Sequence, residues 1–206
     1  LSPDYNKDVA QIVRDNDMKL HIDGARIFNA AVALDVDVKD LVADSDSITF
    51  CLSKGLAAPI GSVICGSEKF IYHARRTRKA LGGGMRQAGI IASAGLYSLD
   101  NMLDQIHEDH KNAKRLAAGI DDIDGLSINK KNIKSNILYF DIEKGENRGE
   151  ELARQTKNIE IYPFEIALDN TRFFESRPGH FRLVTHYGIT RDDIEKALAT
   201  LKNMVK

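Results

Sequence analysis

The chain has 206 residues, 43% of them hydrophobic, which is enough to bury a sizeable core in one large domain or two small ones. Lys plus Arg number 29 and Asp plus Glu 30, so the net charge of -1 creates no field that would gather nucleic acid or an anionic membrane surface. No apolar run approaches the roughly 18 residues of a membrane span, and no basic-then-apolar leader opens the chain. Two cysteines, Cys51 and Cys65, do not make a disulfide framework. The expectation is a globular protein in a reducing, cytoplasmic setting with a small-molecule partner. Leu1 stands where an initiator methionine would, so the chain reads as a fragment or a processed piece.

Ser2-Pro3-Asp4 places a capping hydroxyl before a proline at the first helical position, and Val9, Ile12 and Val13 mark the apolar stripe of the helix that follows. Met18 to Ile22 reads as a buried strand that Asp23-Gly24 ends, and Ile27 to Leu34 as a helix or turn. Ser47 to Leu52 is a second strand whose far end delivers Ser53 and Lys54, and Pro59 to Cys65 is a third. Strands separated by helical stretches, with polar residues at their carboxyl ends, predict a mostly parallel α/β sheet with helices on both faces, and ligands bind at that carboxyl edge.

Glu68 to Lys79 is a helix with a basic end, broken by Gly82-Gly83-Gly84. Met85 to about Leu116 reads as one long helix with a broad apolar face that includes Ile90, Tyr97, Leu103 and Ile106. After a composition shift at Gly119 to Asn132, Ser135 to Ile142 is a strand, Gly145 to Gly149 a polar turn and Gly149 to Lys157 a helix. Ile159 to Pro163 and Phe181 to Thr185 are further strands, and Thr190 opens a closing helix. Residues 1–110 are therefore expected to form part of a larger α/β domain and residues 111–206 a smaller α+β domain.

Lys54 carries the chemistry of the first domain. It lies in Phe50-Cys51-Leu52-Ser53-Lys54-Gly55-Leu56-Ala57-Ala58-Pro59, and an amine in so apolar a stretch is costly to keep charged. The neutral amine is the nucleophile that condenses with an aldehyde; the ordinary alternative is a solvated lysine on a strand-end loop. Asp23, in His21-Ile22-Asp23-Gly24-Ala25-Arg26, is by itself a turn or helix-cap residue. Beside Lys54 it has a second reading, a carboxylate that faces the pyridine nitrogen of pyridoxal phosphate and keeps it protonated. Arg26 is either a surface cation or the planar fork that holds a carboxylate. The glycine run matches no nucleotide-binding fingerprint in spacing or context, and no residue is assigned to a metal.

Four ordered motifs carry a resemblance. They are His21 to Ala30, Cys51 to Leu56 with Ala58-Pro59-Ile60-Gly61-Ser62, Leu81-Gly82-Gly83-Gly84-Met85-Arg86-Gln87-Ala88-Gly89, and Arg182-Leu183-Val184-Thr185-His186. Together they closely resemble the low-specificity L-threonine aldolases, over almost the whole chain and most weakly between Ile123 and Gly179. The resemblance implies the aspartate-aminotransferase-like fold. It also implies pyridoxal 5'-phosphate as cofactor and cleavage of β-hydroxy-α-amino acids, such as threonine and allo-threonine, to glycine and an aldehyde.

Position by position, Lys54 resembles the lysine that forms the Schiff base with the cofactor, and Asp23 the carboxylate paired with the pyridine nitrogen. Arg26 and Arg182 resemble the two arginines that grip the substrate carboxylate. Arg86 resembles the residue that reaches the cofactor phosphate of a neighbouring subunit, and Lys79 matches a basic residue near the site. Active sites shared between subunits imply a homo-oligomer, a dimer of dimers.

The resemblance further implies an upstream portion, lacking here, that carries the phosphate-holding loop, a ring-stacking histidine and another histidine near the β-hydroxyl. His21, His73, His107, His110, His180 and His186 are not obvious substitutes, and a strand-end histidine such as His186 is more often structural. Two function classes follow: the lysine-bearing part of a threonine aldolase, or a non-catalytic fragment or partner chain of such an enzyme. Serine hydroxymethyltransferase and the β-eliminating lyases, which share the fold and the lysine-aspartate pair, are the alternatives within the enzyme class.

Overall fold

The structure, a computed structural model, describes residues 1–142, 165–168, 171–177 and 179–204. The expected turn at Gly145 to Gly149, helix at Gly149 to Lys157 and strand at Ile159 to Pro163 lie outside the described residues. Cα packing divides the chain into two compact units, Leu1–Ile106 and His107–Lys206.

The first unit opens with α1 (Pro3–Asp15). The Ser2 hydroxyl oxygen accepts the Tyr5 N–H at 3.2 Å, and Pro3 takes a first-turn position that needs no N–H. Strands β1 (His21–Asp23) and β2 (Ser47–Cys51) pair in parallel, with Asp23 opposite Thr49. Parallel pairing requires a crossover, which α2 (Ile27–Leu34) and α3 (Val38–Val42) supply. The sequence reading did not find α3, because five residues are too few to show a helical period. Asp37 starts it by accepting the Lys39 N–H at 2.8 Å.

Strand β3 (Ser62–Gly66) runs antiparallel to β2, with Cys51 opposite Ser62. The α/β class holds, but within the described sheet, ordered β1-β2-β3, the third strand is reversed. Its direction follows from its connection. Residues 52–61 contain no helix to carry the chain back across the sheet, so the return is antiparallel.

Two buried clusters hold this unit. Ile27, Ala31, Leu41 and Ile48 form one, and Leu52, Leu56, Ala58 and Ile106 the other, with Phe28 and Phe50 packed against both. The Phe28 and Phe50 rings meet edge to face at 5.3 Å. Helix α4 (Glu68–Ala80) follows, started by Ser67, and then α5 (Gly89–Asn101).

The single helix expected from Met85 to Leu116 is two helices, α5 and α6 (Gln105–Asp121). The Asn101 side-chain amide donates to the Tyr97 carbonyl at 2.9 Å, and Met102 leaves helical geometry with φ -108° and ψ 0°. A side chain that satisfies a last-turn carbonyl ends a helix that apolar spacing alone would continue.

In the second unit, α6 and α7 (Arg191–Met204) contribute Leu116, Ile120, Ile194 and Leu201 to a core shared with Leu138, Phe140, Phe181 and Leu183. These strand residues belong to β5 (Ile137–Ile142) and β8 (His180–Val184). With β4 (Leu126–Ser127), β6 (Glu165–Leu168) and β7 (Thr171–Arg177) they make an antiparallel sheet ordered β4-β5-β8-β7-β6 among the described residues. Alternation along β5 and β8 buries Leu138, Phe140, Phe181 and Leu183 and leaves Tyr139 and Arg182 on the opposite face. Register partners Phe140 and Phe181 stack at 5.3 Å. The hairpin of β6 and β7 was not legible, since Arg172-Phe173-Phe174-Glu175 lacks clean alternation.

Candidate active site

Because β1 and β2 are parallel, their carboxyl ends open on the same edge of the sheet. Asp23 is the last residue of β1, and Lys54 lies three positions beyond the end of β2. Both side chains are exposed. Asp23 Oδ1 accepts the Ala25 N–H at 3.2 Å, so the carboxylate is held by its own turn while it faces outward. The next residue, Gly24, is buried and donates its N–H to the Thr49 carbonyl at 2.7 Å. A Cβ at Gly24 would meet Ile48 Cδ1 at 2.9 Å and the Thr49 carbonyl oxygen at 3.0 Å, so only glycine allows β1 and β2 to approach in this way.

Lys54 occupies a tight turn. Its carbonyl accepts the Ala57 N–H at 2.9 Å, Leu52 accepts from Ala58 at 3.0 Å, and Leu52 donates to the Gly61 carbonyl at 2.9 Å. Ala57 takes the left-handed region with φ 56°. Leu52, Leu56 and Ala58 turn inward and are buried, whereas Ser53 and Lys54 turn outward. Within this unit the same reversal that buries the flanking leucines leaves Lys54 exposed.

Arg26 is half-buried at the start of α2, three residues after Asp23. Lys79 is exposed in the last turn of α4, with its side chain lying against Gly84, where a Cβ would come within 2.9 Å of Nζ. Gly82, at φ 88°, and Gly83 donate to the carbonyls of Lys79 and Arg78 at 3.2 and 2.8 Å. The glycine run thus closes the end of α4, a task that needs left-handed backbone. Arg86, just beyond it, is exposed.

Arg182 belongs to the second unit. It is half-buried on β8, opposite Tyr139, on the sheet face away from the core. On that face His180 Nδ1 pairs with Asp141 Oδ1 at 2.7 Å, and the His180 ring stacks on Tyr139 at 5.3 Å. Five of the six candidates, Asp23, Arg26, Lys54, Lys79 and Arg86, thus lie in the first unit and Arg182 in the second.

Three histidines have local partners or burial. His21 Nδ1 lies 2.8 Å from Ser47 Oγ, and exposed His186 bonds through Nδ1 to the Tyr187 carbonyl at 2.8 Å. Burial pushes the pKa of His110 below its ordinary value, helped by the charges of His107 and Lys114. No cluster of side chains among the described residues has the makings of a metal site.

One residue escaped sequence reasoning. Asn29 of α2 is 2% exposed and lies against Gly55, in the Lys54 turn. An asparagine in the middle of Ile27-Phe28-Asn29-Ala30-Ala31-Val32, an otherwise apolar helix, is the signal that would have found it.

The low-specificity L-threonine aldolase 1 of Arabidopsis thaliana is 41% identical over 97% of this chain and 53% of its own length. The chain thus spans about half the length of the curated relatives it matches. The threonine aldolase of Leishmania major covers 100% of this chain and 57% of its own with a TM-score of 0.70 at 19% identity, a likeness of fold. SPT, solved with a PLP internal aldimine, covers 96% of this chain and 50% of its own with a TM-score of 0.65 at 14% identity. Residues 1–143 match the β-eliminating lyase family, and the chain belongs to that family.

Proposed function

We propose that this chain is the lysine-bearing part of a pyridoxal-phosphate-dependent aldehyde-lyase that cleaves L-threonine and L-allo-threonine to glycine and an aldehyde. The observation that carries the reading is the delivery of exposed Asp23 and Lys54 to one carboxyl edge by two parallel, hydrogen-bonded strands. The similarity to threonine aldolases supports the substrate class.

The residues present fit the cofactor. An exposed amine and an exposed carboxylate open on one edge, and the carboxylate is oriented by the Ala25 N–H. When bound, pyridoxal phosphate supplies an electron sink for the charge released at the substrate α-carbon. Lys54 would hold it covalently through Nζ, and the Asp23 carboxylate would accept the hydrogen bond that keeps the ring nitrogen protonated. Arg86 would reach the phosphate of a neighbouring subunit, and Arg26 serves both cofactor and substrate. By their resemblance, Arg26 and Arg182 would each be a ligand for the α-carboxylate, a planar fork that fixes the direction of the Cα–Cβ bond, with Lys79 as a further cation for the substrate.

On this reading residues 1–110 are part of the cofactor-binding domain, and 111–206 are the small domain, which contains Arg182. The working form is a homo-oligomer, a dimer of dimers. A reducing, cytoplasmic place accords with free cysteines Cys51 and Cys65, and a role in threonine breakdown and glycine supply follows from the proposed reaction.

The test is optical. The complete protein incubated with pyridoxal phosphate is expected to absorb in the near-ultraviolet or violet, and borohydride followed by peptide mapping is expected to mark Lys54. Absence of cofactor uptake overturns the reading. Turnover of threonine and allo-threonine in preference to serine separates it from serine hydroxymethyltransferase and β-elimination.

A further inference from the structure

We infer that Asn29 is a positioning residue for Lys54: its buried side-chain amide, seated against Gly55, sets the backbone turn from which the lysine projects. The role rests on the reading of Lys54 as the cofactor lysine. Asn29 shares α2 with Ile27 and Ala31, which belong to the apolar core. A carboxamide is costly to take from water, so apolar packing alone would favour leucine or alanine at this position.

What the amide faces is the turn. A Cβ at Gly55 would lie 3.1 Å from Asn29 Cγ and 3.2 Å from Nδ2, and closer still to Oδ1. The space a side chain would fill at residue 55 is therefore taken by the Asn29 carboxamide. Gly55 itself is buried, one residue after Lys54, inside the turn closed by Ala57 N–H on the Lys54 carbonyl.

The same helix begins four residues after Asp23, and the Ile27 N–H bonds the Gly24 carbonyl at 2.8 Å. Asn29 thus joins the Asp23 motif to the Lys54 motif through one rigid helical turn. A lysine side chain is long and flexible, so the placement of its amine against a carboxylate on the neighbouring strand depends on where its backbone is held.

The experiment compares the parent protein with Asn29→Leu, which keeps the branched heavy-atom skeleton and removes the amide, and Asn29→Ser, which is smaller and keeps a polar group. The first measurement is hydrogen exchange in the cofactor-free protein. Amides of residues 55–58 are expected to exchange at least tenfold faster in Asn29→Leu, with the β1 and β2 amides unchanged. The second is borohydride trapping of pyridoxal phosphate on Lys54 at limiting cofactor. The half-saturating concentration is expected to rise at least tenfold in Asn29→Leu and less in Asn29→Ser.

Exchange and trapping both within twofold of the parent in the two variants overturn the inference. So does accelerated exchange spread evenly over the unit, which marks a residue that only stabilises the fold. If the parent itself traps no cofactor, the cofactor reading fails on its own, and the exchange of residues 55–58 still decides whether Asn29 holds the turn.

Discussion

The Gly24 N–H donates to the carbonyl of Thr49 at 2.7 Å, one step beyond the register pair Asp23 and Thr49. The turn that carries the carboxylate is thereby tied to the strand that leads to the lysine. Two motifs about thirty residues apart become one rigid edge, because parallel pairing continues past the last ladder residue into the turn.

Gly24→Ala tests that tie. Its methyl would press on Ile48 Cδ1 at 2.9 Å, which can rotate, and on the Thr49 carbonyl oxygen at 3.0 Å, which is backbone and cannot. The expected cost is about 1–3 kcal/mol, as for overpacking of a core. Urea unfolding checks it, and a midpoint equal to that of the parent contradicts the close approach.

Asp23→Asn separates the turn from the chemistry. An asparagine oxygen still accepts the Ala25 N–H that Asp23 Oδ1 accepts at 3.2 Å, so the melting temperature is expected to stay near that of the parent. The negative charge is lost, and on the proposed function threonine turnover by the complete enzyme is expected to fall at least about a hundredfold, near 3 kcal/mol in the barrier. Unchanged turnover would leave Asp23 as a turn residue only.

Thr190 and Asp193 form a reciprocal cap at the start of α7. The Thr190 N–H and hydroxyl donate to Asp193 Oδ2 at 2.9 and 2.6 Å, and the Asp193 N–H returns a bond to Thr190 Oγ1 at 3.3 Å. Removing the cap by Thr190→Ala is expected to cost about 1 kcal/mol. The Thr190 hydroxyl, then its N–H, hold the Asp193 carboxyl below its ordinary value of 3.8, with Lys196 adding to the effect. A depressed carboxyl stabilises the folded state above 3.8, and that contribution disappears as pH falls through the folded value. The acid limb of the stability curve should therefore flatten in Thr190→Ala.

His110 works in the opposite charge sense. Burial, followed by His107 and Lys114, lowers its pKa below the ordinary 6.5, so the unfolded chain binds the proton more readily than the folded one. Stability is complete above 6.5 and declines as pH falls from there toward the folded value. Unfolding midpoints measured at about pH 7.5 and 5.0 should differ less in His110→Gln than in the parent. An unaltered difference would mean that another group sets the slope.

Much of the first unit was legible along the chain. Ser2-Pro3 announced α1, Ser67 was the unremarked cap of a helix whose span was clear, and the apolar runs before Asp23 and Lys54 became β1 and β2. Asp23 and Lys54 stood out because each closes a short apolar run, where a polar residue has a visible position. Asn29 did not, because its meaning depends on Gly55, which approaches it only after the chain has crossed the sheet. The hairpin of β6 and β7 was hidden for a similar reason: pairing partners, and not alternation, make those residues strands.

Local rules decide what a single stretch can do. Caps, apolar period and glycine placement act within a few residues, and so the amino-acid order alone determined the alternation of strands with helices and the two short motifs of the first unit. Non-local rules decide direction and exposure. Only the folded chain made β3 antiparallel, divided the expected long helix at Met102, and turned Lys54 outward while Leu52 and Leu56 went in. Those outcomes depend on which distant backbone groups and apolar surfaces meet, and no window of sequence contains both partners.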